Sequence, residues 1–454
     1  MKRLLKIALS VTVLSLLAVL LMSAGGQDAS GGAGNVEVIR VWSDQGHEKE
    51  LRDQQIARFN EGRGKDLGIK IEYQVFGGGW GEAIKTACQA GDAPDLFRPN
   101  IEVQDYVDAG FLIPISDLPG SEEFLKQYEG SLVPNEHVFN GKVITLPYNL
   151  MTVKFLVNQD LFDKNGITDY PRTWADVRRY AKIITDNGGG KEYGFVFGMK
   201  NNWVAQVYMT YLIAQSAGHA GFNNNTLQFR FSDMLPVLDE VMGIFQDGSV
   251  LPGAAGFDAD QMRAQFAEGR VGMIPGASFD VGVYNTQFPA KCNWKVVPVP
   301  LASATGTKYK EFADGMTLLG VGAAAKKHPQ KVLEVLKFFY SDECMAELYE
   351  AGLYIPFRQE AIALAKRAPS SKGFAEFASL PDLALRLPAP YDIIPLEGED
   401  YRPTIMAMFS GTLGNNTAAI LADLDKRYNT ALGKLDKKIV EEFRAPAGRN
   451  ILAK

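Results

Sequence analysis

Residues 36–42 are rich in β-branched side chains and bounded by polar ones, which predicts a strand. Over 47–60, Leu51, Ile56 and Phe59 share one face of a charged stretch, which predicts a helix stopped by Gly62 and Gly64. Residues 69–75 alternate apolar and polar side chains, a second strand. A helix over 81–89, a short strand at Leu96-Phe97 and a helix over 101–109 complete a β-α-β-α-β run. That order predicts an open, mainly parallel sheet, and ligands of such sheets bind beyond the carboxyl ends of the strands. Those ends carry Trp42, Asp44, Trp80 and Arg98, the first candidate binding residues.

The remainder reads as further α/β with a larger helical share. Short strands are expected over 143–147 and 153–157, separated by 148–152, and another over 271–274. Helices are expected over 174–185 (capped by Thr173), 237–245, 258–267 and 329–340. Residues 296–300 carry two prolines and predict a stiff extended link. One long helix is expected over 416–443, with Ile420, Leu424, Tyr428, Leu432, Leu435, Ile439 and Phe443 on its apolar stripe.

The first residues change the picture of where the protein works. Lys2, Arg3 and Lys6 flank an apolar run over 7–22, followed by small residues at 23–26. That is the order of a secretory signal peptide (1–25), with a Gly-, Ala- and Ser-rich flexible leader after it (26–34). The apolar run is shorter than the roughly 20 residues a helix needs to span a bilayer. Cleavage and retention as an anchor both stay open. No cysteine follows the run to carry a lipid.

Composition excludes more than it identifies. Of 454 residues, 46% are apolar and 22% charged, an ordinary soluble balance. The net charge is −6, so the basic footprint of a nucleic-acid binder is absent, and losing the basic leader makes the chain more acidic. Three cysteines (Cys88, Cys292, Cys344) give neither a disulfide framework nor paired zinc ligands, and are expected to be free and buried. Gly77-Gly78-Gly79 lacks the Gly-Lys-Ser/Thr of a phosphate loop, and there is no His-Glu-x-x-His, Gly-x-Ser-x-Gly or Cys-x-x-Cys. No cofactor, metal site or catalytic residue is expected.

The five tryptophans are more informative, because sugar rings stack their C–H faces on aromatic planes while their hydroxyls seek polar groups. Trp174 starts a helix and reads as core packing. Trp203, after Asn201-Asn202, and Trp294, after Asn293, stand among polar residues and read as exposed, Trp203 being the stronger ligand candidate.

A series of spaced segments then resembles a known family. They are Gly91-Asp92-Ala93-Pro94-Asp95, Leu146-Pro147-Tyr148-Asn149, Phe155-Leu156-Val157-Asn158, Pro171-Arg172-Thr173-Trp174, Phe266 with Gly269-Arg270-Val271-Gly272-Met273, Val297-Pro298-Val299-Pro300 and Lys327-His328-Pro329. In this order they resemble the extracellular solute-binding proteins of carbohydrate-type ABC importers, the group of the maltose- and glycerol-3-phosphate-binding proteins.

The resemblance implies a two-lobed α/β fold of mixed sheets flanked by helices (type II), with a ligand cleft between the lobes and hinge closure around the solute. It implies crossings near 150–151, 298–300 and 341. The first lobe is then 35–149 with 300–341, and the second 150–299 with 342–454. It adds Asn149, Trp203, Phe279, Tyr354 and Arg358 as ligand-binding residues, whereas Asp95 reads as a structural turn residue. The implied protein is a periplasmic, monomeric receptor that hands a carbohydrate to the transmembrane subunits of an ABC permease. A polyol phosphate held by Arg98 or Arg358 is the alternative ligand, and a secreted carbohydrate-active enzyme the rival class.

Overall fold

The computed structural model describes residues 36–453 apart from 78, 100–102 and 380–382. The expected signal peptide and leader lie outside the described residues, as do Ile101 and the start of its helix.

Two sheets organise the chain. In the first, strands run in the order Ile69–Val75, Glu37–Ser43, Leu96–Phe97, Gly320–Gly322, Leu112–Ile113. Glu37–Ser43 and Leu96–Phe97 are parallel, as the β-α-β pattern predicts, whereas the late strand Gly320–Gly322 enters antiparallel. Helices Lys49–Glu61 and Trp80–Ala90 connect the parallel strands. Gly62 interrupts the first helix, but a further short helix, Arg63–Leu67, follows before Gly68 closes it with a left-handed φ of 63°.

The second sheet has seven strands built around Pro147–Asn158. This strand pairs with Glu311–Thr317 and Ile355–Pro356 at its start and with Val271–Ala277 and Trp294–Val297 at its end. The expected gap over 148–152 is therefore closed. Pro147 sits at the first position, where no ladder donor is needed, and the segment after it stays extended because neighbours occupy it throughout.

The hydrophobic core changes hands on this strand. Leu146 and Tyr148 pack with Ile39, Val41, Leu96 and Leu336 in one cluster. Leu150 onward packs with Trp174, Phe195, Leu238, Met273 and Tyr428 in the other. Asn149 stands at the changeover. The chain changes cluster again between Ala313 and Leu318 and between Tyr354 and Ile355, and Ala361 packs back in the first cluster before Phe374 rejoins the second.

Two further expectations need correction. The long terminal helix is two helices, Thr417–Leu432 and Lys437–Glu441, broken after Gly433. Ile439 is accordingly exposed rather than on a buried stripe. Trp294 is buried at 2% exposure, because the polar Asn293 before it only marks the edge of a strand against Asn158. Trp174 is fully buried behind a Thr173–Asp176 capping box, and all three cysteines are free and buried, as expected.

Candidate functional site

The ends of the first sheet's strands place four expected residues close together. Ser43 ends its strand and its hydroxyl accepts from the Gln45 amide, turning the chain so that Asp44 projects past the sheet. The Arg98 amide donates to Trp42 O, and its guanidinium Nη1 lies 3.0 and 2.9 Å from the two Asp44 oxygens. Gln45 donates to Asp44 at 2.7 Å and accepts from the Tyr354 hydroxyl at 3.3 Å. Asp44, Arg98 and Tyr354 are thus one polar chain through Gln45, which the sequence reading missed.

Trp42 and Trp80 join through Phe76, with ring centres 4.8 and 5.4 Å apart. Trp42 is half-buried, whereas Trp80, the first residue of its helix, is only 6% exposed and packs in a small core with Phe97 and Tyr106.

Asn149 sits at the core changeover, paired across the ladder with Pro356 and Met316. Its neighbour Tyr148 packs edge-on against Tyr354 at 5.9 Å and accepts from Arg52 at 2.9 Å. Arg52 is completely enclosed, and also donates to Glu48 and Gln55 at 2.9 Å each. Arg358 does not join this group: it forms a two-point pair with Asp342 at 2.9 Å and lies over the Tyr128 ring.

A second group comes from the seven-stranded side. Trp203 and Phe279 are both half-buried, and the Arg263 guanidinium lies 5.7 Å from one ring centre and 5.4 Å from the other. Arg263 reaches Asp280 at 2.8 Å, Asp260 at 2.9 Å and the Tyr208 hydroxyl at 2.8 Å. Tyr208 donates in turn to Asp280 at 2.9 Å, and the Ala277 amide donates to it at 2.8 Å. Burial raises the Asp280 carboxyl above its ordinary range, and Arg263 and these donors pull it back.

Both ring-bearing segments run into π-helical turns, Ala205–Thr210 and Val283–Gln287. The wider turn brings Tyr208 to within 5.7 Å of Trp203, five residues apart, a spacing that an α-helix leaves on different faces. Arg263, Tyr208 and Asp280 were missed in the sequence. The available signal was Arg263 one turn before Phe266 on an otherwise apolar helix face, since a charge there demands a partner.

The long strand links the two groups. The Ser278 amide donates to Thr152 O at 2.9 Å, so Phe279 begins beside Thr152, three residues from Asn149. At roughly 3.3 Å per residue that is about 10 Å. Along the same floor, Asp314 is held by Arg386 at 2.6 Å and by the Tyr211 hydroxyl, and Arg402, paired with Asp400, reaches Gln206 at 3.4 Å. Gln206 is one turn beyond Trp203. Among the described residues no group of His, Cys, Asp and Glu is arranged to hold a metal ion, and no helix is long and apolar enough to cross a membrane.

A Brucella abortus (strain 2308) protein named only as a binding protein is 25% identical over 357 residues, 78% of this chain and 83% of its own. The sn-glycerol-3-phosphate-binding periplasmic protein of Agrobacterium fabrum is 22% identical over 55% of this chain and 57% of its own. Among solved structures, the GacH receptor of Streptomyces glaucescens superposes with a TM-score of 0.66 at 18% identity, over 88% of this chain and 99% of that one. Maltose-bound MalE3 of T. maritima gives 0.65 at 17%, over 86% and 99%. RafE in complex with raffinose gives 0.61 at 19%, over 87% and 99%. These likenesses establish the two-lobed α/β fold. The model of the bacterial extracellular solute-binding protein family matches residues 46–346, and the chain belongs to that family.

Proposed function

We propose that this protein is the solute receptor of an ABC importer that captures an uncharged sugar or oligosaccharide between its lobes and delivers it to the permease's transmembrane subunits. On this reading Trp42, Asp44, Arg98, Asn149, Trp203, Phe279 and Tyr354 line the cleft. Trp80 supports Trp42 through Phe76, and Arg358 braces the Tyr128 side of the first lobe.

The observation that carries the choice of ligand is the charge balance. Arg98, Arg263, Arg386 and Arg402 each hold an aspartate at 3.0 Å or less. A phosphate ester would have to displace a carboxylate from one of them, whereas sugar hydroxyls both donate to the aspartates and accept from the arginines without breaking a pair. The half-buried Trp203 and Phe279 supply ring faces for the apolar side of a pyranose. Raffinose- and maltose-bound relatives of the same fold favour this class over the glycerol-3-phosphate relatives, which match only about half of the chain. The positively charged leader with its apolar run fits export to the periplasm.

A thermal-shift screen of sugars, polyols and their phosphates tests the reading. Ligand at 1,000 times its Kd stabilises the folded state by about 4 kcal/mol. A shift with a neutral sugar that disappears in Trp203→Ala is expected. Shifts confined to phosphate esters would overturn the sugar assignment in favour of a polyol-phosphate receptor.

A further inference from the structure

Trp203 and Phe279 come from segments far apart in sequence, yet one side chain meets both rings. Arg263 lies within 6 Å of each ring centre, the range in which a cation is attracted by an aromatic face. Its side chain is 9% exposed, its two terminal nitrogens donate to Asp260 and to the Tyr208 hydroxyl, and Nε stands 2.8 Å from Asp280 as an ion pair without hydrogen-bond alignment. Tyr208 itself is fully buried and bridges the cluster, 5.7 Å from Trp203 and 6.5 Å from Phe279 by ring centres. A planar guanidinium hydrogen-bonded at both terminal nitrogens and ion-paired with a buried carboxylate has little freedom to swing away, so it fixes the rings that rest on it.

We propose that Arg263 is a positioning residue that holds Trp203 and Phe279 from behind as one paired platform for a neutral, ring-bearing solute. The proposal rests on the sugar-receptor reading for its ligand, but the holding of the rings is independent of it. The cation occupies the inner side of the platform and its charge is balanced by Asp280 and Asp260, so the half-buried rings present an uncharged surface to the solute. Both aromatic residues lead into π-helical turns, and the one after Trp203 supplies the register that brings Tyr208 beside it.

Removing Arg263 alone would leave Asp280 buried without its cation, and that variant is expected to fold poorly. The test therefore uses Arg263→Met/Asp280→Asn, which removes both charges at similar size. In a Trp42→Phe background the remaining tryptophans besides Trp203 are 6% exposed or less, so acrylamide quenching reports on Trp203. Quenching is expected to rise in the double variant at an unchanged far-UV spectrum. With Trp42 retained, affinity for the probe sugars maltose and raffinose, by calorimetry, is expected to fall about tenfold for whichever binds. Unchanged quenching overturns the positioning role, whatever binds. Unchanged affinity with raised quenching overturns the link to recognition. Raised quenching in a protein whose parent binds neither sugar supports the positioning role and counts against the sugar reading instead.

Discussion

Arg52 has no exposed side-chain surface, and its bonds tie the helix Lys49–Glu61 to Tyr148 at the core changeover. Arg52→Met leaves Glu48 buried without its cation, and the expected loss of stability is about 3–5 kcal/mol by urea denaturation. Adding Glu48→Gln is expected to recover much of that, since the stranded charge causes most of the loss. Asp44 makes a contrasting case. It and Arg98 are each about a quarter exposed, at 24% and 22%, so Asp44→Asn is expected to cost about 1 kcal/mol or less in stability. Its effect should show in solute affinity by calorimetry, falling about tenfold as a charged hydrogen-bond partner is lost. An affinity equal to wild type would remove Asp44 from the site.

Single elements show what pattern reading sees and what it misses. The early strands and helices were legible because each has a clean period and clear ends, as at Ile69–Val75 and Trp80–Ala90. The strands expected over 143–147 and 153–157 are instead Lys142–Val143 and the single strand Pro147–Asn158, whose start is hard to see because Pro147 and Asn149 are poor strand formers. What keeps them extended is pairing with strands about 160 and 200 residues later, which no local window contains. The π-helical turns left no trace in the hydrophobic period, and with them went Tyr208 and Asp280.

The loop before Lys142–Val143 has its own consequence for pH. Burial pushes the Glu136 carboxyl up to about 7, opposed by Arg386 and reinforced by Asp314, and pushes the neighbouring His137 imidazole down to about 4, opposed by the Gly315 backbone. A raised carboxyl adds stability at low pH that is lost as pH rises from its ordinary 4.5 towards 7. A lowered imidazole adds stability above its ordinary 6.5 that is lost as pH falls towards 4. Between those limits the two slopes oppose each other. Melting temperature against pH is expected to climb in Glu136→Gln, to decline in His137→Gln, and to vary less in the wild type than in either. Parallel profiles would show that neither group titrates with the fold.

At the scale of the whole molecule, the candidate site draws on residues 44, 98, 149, 203, 263, 279 and 354, so no contiguous motif could have revealed it. The strand-end rule pointed to Asp44 and Arg98 from topology, the polar neighbours of Trp203 pointed to that ring, and the family resemblance added Asn149, Phe279 and Tyr354. None of these routes found the residues behind the rings, because they touch other side chains rather than the expected ligand. The core changeovers near 149, 316 and 354 meet on the long strand beside the candidate site, and closure of the lobes about them is the expected response to a solute. Small-angle scattering with a bound sugar is expected to show a smaller radius of gyration than the free protein, and an unchanged radius would remove closure from the mechanism.

The strand Pro147–Asn158 also limits how such a receptor can diverge. Side chains alternate between its two faces, so inserting or deleting one residue between Asn149 and Thr152 would turn every side chain beyond that point to the opposite face. The Phe279 segment and both cores are indexed to that strand, and no surface loop could absorb the shift. New solutes are therefore to be reached by exchanging side chains on a floor of constant length, while insertions collect in loops that the ladder does not count.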